Sequence, residues 1–246
     1  MLDKTTLILI PAYNEAETLG LLLEKIKDLE VPVDILVIND CSLDETGLIA
    51  AQKGADVLNL PLNLGYGAAL QTGYKYALRK GYDYVIQMDG DGQHDPQFIP
   101  ALMAEIKKGE VDVVIGSRFL VKGSYKVPLL RRWGMVLFGT IASYCTNQKI
   151  SDPTSGFQAI DREVLNFFVS DVYPVDYPDA DVLIMLVKTG FTFKEVPVIM
   201  HQHSQQHKSI HSGFLKPLYY IFKMFLSIFV TLLRRDSAKE LPGMVL

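Results

Sequence analysis

Short apolar runs alternate with segments whose apolar residues recur every three or four positions, and the alternation holds through the first half of the chain. Thr6–Ile10, Val33–Ile38, Ala55–Leu60, Asp83–Met88 and Asp112–Ile115 read as strands. Between them lie helical patterns. The first covers Glu17–Leu29, with Leu19, Leu22, Leu23 and Ile26 on one face, and the second covers Leu43–Gln52. The third opens at the glycine-rich Asn63-Leu-Gly-Tyr-Gly67 and runs to Arg79, and the fourth covers Phe98–Lys107. Strands that alternate with helices imply an α/β fold, a parallel sheet covered on both faces, and right-handed crossovers. The expected fold class is therefore a three-layer α/β/α sandwich with a mostly parallel sheet.

Beyond residue 116 the rhythm is less regular. Gly116-Ser-Arg118 ends the fifth strand, and 119–132 reads as a basic loop holding Lys122, Lys126, Arg131 and Arg132. A helix is expected over Trp133–Thr146, a strand over Thr154–Ile160, a buried helix over Asp181–Lys188 and a strand over Phe191–Val198. The segment Phe214–Leu233 is long enough to span a bilayer by residue count. Lys216 and Lys223 interrupt it, and a lysine near the middle costs roughly 2.5–3.5 kcal/mol on insertion. An amphipathic helix lying in the membrane interface fits better, with a core-packed helix as the plain alternative. The expected organisation is one domain over 1–200, in halves 1–116 and 117–200, followed by a basic loop and amphipathic tail over 201–246.

With 246 residues the chain suits one large domain or two small ones. Its net charge of -4 argues against nucleic acid as a partner. No acidic residue occurs between Val196 and Leu233, however, so a local basic region follows the last strand. The two cysteines, Cys41 and Cys145, are too few for a disulfide framework. The first residues carry neither a basic n-region nor a cleavage signal, so a cytoplasmic location is expected.

The strand ends carry the candidate chemistry. Asp89-Gly-Asp-Gly-Gln-His-Asp95 follows the buried strand Tyr84–Met88. Ligands of open α/β sheets bind outside the carboxyl ends of the strands. Mg2+ takes one or two carboxylates and completes its shell with water and substrate phosphate. Taken alone, Asp89 and Asp91 read equally well as a metal site or as an acidic surface turn. A calcium loop fits worse, because His94 and Pro100 occupy the positions where Gly and Glu are needed. A dinucleotide fold is disfavoured, since no Gly-x-Gly-x-x-Gly follows the first strand.

Together, Pro11-Ala-Tyr-Asn-Glu15, Asn39-Asp-Cys-Ser-Leu-Asp44, Asn63-Leu-Gly-Tyr-Gly-Ala-Ala69 and Asp89-Gly-Asp-Gly-Gln-His-Asp-Pro96 resemble family 2 glycosyltransferases of the GT-A fold. Within that family the chain is most similar to the branch acting on dolichyl or polyprenyl phosphate. The resemblance implies a hexosyltransferase with Mg2+ or Mn2+ as cofactor. Pro11, Ala12, Tyr13 and Glu15 would hold base and ribose, and Asp40 the base. Asn63 and Gly65 would lie near the nucleotide. Asp89 and Asp91, joined by Gly90, would bind metal, and Gln93 would face the donor sugar. Arg118 would lie near the acceptor or sugar, Arg131 and Arg132 would contact phosphate, and Ser155 would flank the acceptor pocket. Asp44 matches less closely and reads equally as a helix cap.

Two departures stand out. Gly90 and Gly92 replace the usual Ala and Leu of the branch. Pro178-Asp-Ala-Asp181 stands where a Glu-rich motif is common, so Asp179 or Asp181 is a candidate base, with an N-cap as the alternative for Asp181. Four of the five histidines fall in His201–His211. This segment aligns with a loop that closes over the diphosphate in relatives. Lys208 would meet phosphate there, and His203 is a candidate third metal ligand.

The implied reaction transfers a sugar, with inversion, from a UDP- or GDP-sugar to a polyprenyl phosphate at the membrane surface. The alternatives are transfer to a glycan hydroxyl, using Asp179 or Asp181 as base, and a non-catalytic nucleotide-binding module. A homo-oligomer is left open.

Overall fold

The computed structural model describes residues 5–120, 129–174, 178–201 and 215–233, apart from the side chains of 129–133 and 215–221. The strands are β1 (Thr6–Ala12), β2 (Asp34–Asn39), β3 (Asp56–Asn59), β4 (Tyr84–Gln87), β5 (Val113–Ser117), β6 (Gln158–Asp161) and β7 (Phe193–Pro197). The helices are α1 (Ala16–Lys27), α2 (Thr46–Gln52), α3 (Tyr66–Lys80), α4 (Ile99–Ile106), α5 (Leu129–Thr146), α6 (Arg162–Phe168), α7 (Ala180–Lys188) and α8 (Leu215–Leu233). One seven-stranded sheet runs in the order β3-β2-β1-β4-β6-β5-β7.

β1 is central, and all seven of its residues are buried. Its side chains alternate between two cores, as the two-residue period of a strand requires. Leu7 and Leu9 join the core beneath α3, α5, α6, α7 and α8. Ile8 and Ile10 join the core beneath α1 and α4. α1 buries Leu19, Leu22, Leu23 and Ile26, the face read from its periodicity. α3 ends at Gly81, whose φ of 86° supplies the left-handed cap.

The sheet is mostly parallel, as expected, with one antiparallel strand. β6 lies between β4 and β5 and runs antiparallel to both. The chain therefore enters β6 at the carboxyl ends of its neighbours, pairing Gln158 with Gln87 and with Ile115. Residues 154–157 become a turn at the site rather than the start of a strand.

Other boundaries also shift. α5 starts at Leu129, so Arg131 and Arg132 sit in its first turns instead of a loop. α2 starts at Thr46, because Asp44 folds its side chain onto the Thr46 amide and holds a turn ahead of the helix. α6 was not expected. Asp161 initiates it by accepting the Val164 amide at 2.9 Å.

α8 lies on α7 and α5. Met224 and Ile228 are buried, and Phe225 packs against Phe138 at 5.4 Å. Lys188 donates to the last-turn carbonyls of Thr231 and Leu232, which suits a cation at a helix C-terminus. Phe222, Leu226, Phe229 and Leu233 stay exposed along one stripe. Among the described residues no helix is long and apolar enough to cross a membrane.

Candidate active site

The loops leaving β1 and β2 are stitched together by hydrogen bonds. Asn14 donates its amide to Ser42 Oγ at 3.0 Å and accepts the Leu43 amide at 2.8 Å. The Glu15 and Ala16 amides donate to Thr46 Oγ1 and Asp44 Oδ2. Asp44 thus bridges the starts of α1 and α2. Thr18 on α1 reaches the Gly90 carbonyl at 3.0 Å, which brings the acidic turn into the same assembly.

Asp40 is buried at the end of β2. Its carboxylate accepts the amides of Leu64 at 2.7 Å and Gly65 at 2.9 Å. Gly65 has a φ of 88°, a conformation that favours glycine. Asp40 therefore fastens the third loop to the first two. Tyr13 and Asn63 are exposed at this edge, and Pro11 and Ala12 are buried.

The acidic pair closes the group. Asp89 Oδ1 accepts the Tyr66 hydroxyl at 2.7 Å, and Tyr66 also accepts from Gln87 Nε2 at 3.1 Å. Burial pushes the Asp89 carboxyl pKa up, while the Tyr66 bond and the Arg118 charge oppose that rise. Asp91 accepts both the backbone amide and the side-chain amide of Gln93. His94 is buried and stacks on Phe157 at 5.2 Å. Burial is the main cause that lowers its pKa to about 4, so the ring is neutral near pH 7.

Arg118 points inward. Its guanidinium grips Asp152 through two nitrogens and reaches Thr154 Oγ1 at 2.8 Å. Glu195 on β7 in turn accepts the amides of Ser151 and Asp152. Ser155 donates to the Gly116 carbonyl at 2.6 Å, which sets the turn before β6.

The structure separates the two candidate bases. Asp181 is buried, accepts the Asp179 and Val182 amides, and takes the Ser227 hydroxyl of α8. Asp179 is half-buried, and its charge acts on Tyr66 beside Asp89. Arg131 and Arg132 occupy helix α5, but their side chains lie outside the described residues, as do His203 and Lys208 altogether. The segment leading to the histidines does meet the acidic turn. The His201 amide donates to the Gln93 carbonyl at 2.8 Å, and its Nε2 lies 3.1 Å from Asp95 Oδ2.

Among the described residues no three His, Cys, Asp or Glu side chains group as a metal cage. Asp89 and Asp91 fit a hard cation that completes its shell from a diphosphate.

Residues 7–168 match the family model described as Glycosyl transferase family 2. The chain belongs to this family. It is 34% identical to the polyprenol monophosphomannose synthase of Mycolicibacterium smegmatis over 206 residues, covering 78% of this chain and 76% of that one. It is 30% identical to the undecaprenyl-phosphate mannosyltransferase of Micrococcus luteus, covering 65% of this chain and 67% of the other. Among solved structures, glucosyl-3-phosphoglycerate synthase of Mycobacterium tuberculosis, in complex with Mn2+, UDP and glucosyl-3-phosphoglycerate, superimposes with a TM-score of 0.67 at 22% identity. That likeness covers 94% of this chain and 79% of the other, and supports the GT-A fold.

This family 2 glycosyltransferase places Tyr66, Gln87, His94 and Asp152 around Asp89 and Arg118, roles that the sequence patterns did not single out. Tyr66 and His94 lie inside the motif loops, which is the one signal that could have found them. Asp152 carries no local signal, because its partner is 34 residues away.

Proposed function

We propose that the protein transfers a hexose, with inversion, from a UDP- or GDP-sugar to a polyprenyl phosphate at a membrane surface. The carrying observation is that four loops converge on one sheet edge around Asp89 and Asp91. The similarity to enzymes named for polyprenyl and undecaprenyl phosphate supports the acceptor class. In this reading residues 1–116 bind the donor, 117–200 bind the acceptor, and 201–246 approach the membrane. Pro11, Ala12, Tyr13, Glu15, Asp40, Asn63 and Gly65 cradle the nucleoside. Asp89 and Asp91 hold Mg2+ or Mn2+, and Gln93 faces the sugar. A bound cation of this kind offsets charge on the departing diphosphate.

A lipid phosphate has a second pKa of about 6 and is largely ionised at neutral pH, so it attacks without a protein base. Arg131 and Arg132 supply guanidinium groups suited to that phosphate. The exposed Phe222, Leu226, Phe229 and Leu233 of α8 give the enzyme an apolar face for the bilayer surface. A second reading, transfer to a glycan hydroxyl, draws on Asp179, which lies close enough to act electrostatically on Tyr66.

The test is incubation of the full chain with radiolabelled UDP- and GDP-hexoses, polyprenyl phosphate in vesicles, and Mn2+ or EDTA. Label entering the organic phase only with the cation supports the proposal. Label reaching a soluble glycan instead, or transfer to lipid that is indifferent to EDTA, overturns it.

A further inference from the structure

The acidic turn holds a buried donor without a partner among the described residues. The His94 side chain has no solvent exposure. Its Nδ1 accepts the Asp89 backbone amide at 3.1 Å, so the ring proton belongs on Nε2. That Nε2 has no hydrogen-bond partner among the described residues. It faces Asp89 Oδ2 at 3.7 Å, just outside hydrogen-bond range. The other oxygen, Oδ1, is held by the Tyr66 hydroxyl. Tyr66 is itself fixed by Gln87, which takes the hydroxyl of the buried Tyr74. Asp89 therefore has a rigid donor on one oxygen and an unspent donor beside the other.

A buried donor without a partner costs free energy, and native proteins keep few of them. Carboxylates that ligate metals are themselves held by outer hydrogen bonds that fix their orientation. A carboxylate movement of about 0.7 Å toward the ring would complete the missing bond. The cation-bound state can then gain a hydrogen bond that the empty state lacks.

We propose that Tyr66 and His94 are positioning residues that clamp Asp89 from two sides and set how tightly the enzyme holds a divalent cation with a nucleoside diphosphate. This rests on the reading of Asp89 and Asp91 as cation ligands. Neither residue touches the reacting atoms. Their effect passes through the angle and mobility of one carboxylate.

The experiment measures Mn2+ binding to the full chain by loss of the free-ion paramagnetic resonance signal, with UDP and separately with GDP. Tyr66→Phe removes one donor. His94→Asn keeps an acceptor near the Asp89 amide but cannot reach Oδ2, whereas the amide nitrogen of His94→Gln can. Tyr66→Phe and His94→Asn should bind Mn2+ about 10–100-fold more weakly, and His94→Gln should recover most of that loss. Nucleotide affinity in EDTA should stay within about twofold of the wild type, because the clamp acts through the cation.

The clamp is overturned if Tyr66→Phe and His94→Asn bind Mn2+ like the wild type, or if metal-free nucleotide binding falls in parallel. If the wild type binds no Mn2+ with either nucleotide, the cation reading and the clamp fail together, which distinguishes the two failures. If His94→Asn does not fold by circular dichroism, Tyr66→Phe alone decides.

Discussion

Gly156 lies directly against the Asp89 carboxylate: a methyl group on its Cα would sit 2.9 and 3.0 Å from the two carboxylate oxygens. It would also sit 3.0 Å from the Tyr66 hydroxyl. The turn before β6 thus forms the wall behind the acid that follows β4. Gly156→Ala should displace the carboxylate and weaken Mn2+-dependent turnover about 10–100-fold, the range seen when a metal ligand loses its support. Overpacking should cost about 1–3 kcal/mol of stability. Steady-state rates across a Mn2+ titration check the first effect, and urea melts the second.

Arg118 and Asp152 form a buried pair whose side chains are 3% and 0% exposed. Breaking such a pair by removing one partner costs about 3–5 kcal/mol, since an uncompensated charge is left inside. Asp152→Ala should therefore destabilise the fold by that amount, measured by chemical denaturation. If Arg118 served only the acceptor, the midpoint would hardly move and only turnover would fall.

Asp179 and Asp181 should part in their effects. Asp181→Asn weakens the tie to Ser227, so vesicle co-sedimentation and thermal stability should change more than turnover at saturating substrate. If lipid phosphate is the acceptor, Asp179→Asn should leave more than about a tenth of kcat, because no proton need be removed. A loss of about 10²-fold or more would favour a hydroxyl acceptor and a base at Asp179.

Asp161 is pushed up to about 6, mainly by burial and further by the charges of Asp112 and Glu163. Its folded pKa lies above the unfolded value near 3.9, so the folded state binds more protons between these limits. Stability should fall as pH rises from about 4 to 6 on account of this group. Asp161→Asn keeps a good N-cap and removes the charge. It should raise stability at pH 7 by about 1 kcal/mol, because solvent screens the partly exposed charge, and by little at pH 4. Thermal melts at the two pH values test this.

The five leading strands and the buried face of α1 were legible because hydrophobic period reports burial locally. The polar clusters at the ends of β1, β2 and β4 were legible for the same reason: in an alternating α/β chain, each follows its strand directly. The direction of β6 was not legible. Four residues, Gln158–Asp161, carry no signal of which edge they are entered from. That direction nonetheless decides that Gly156 backs Asp89.

The sequence alone therefore settled the family, the layered sheet and which loops carry carboxylates, since motif order and periodicity are properties of neighbours along the chain. Only the tertiary structure decided that Arg118 is bound to Asp152, that Asp181 rather than Asp179 holds α8, and that the buried His94 ring lies beside the Asp89 carboxylate. Those relations join residues far apart in the chain, or turn on tenths of an ångström. Periodicity tells a side chain which face to bury and says nothing of whom it will meet there.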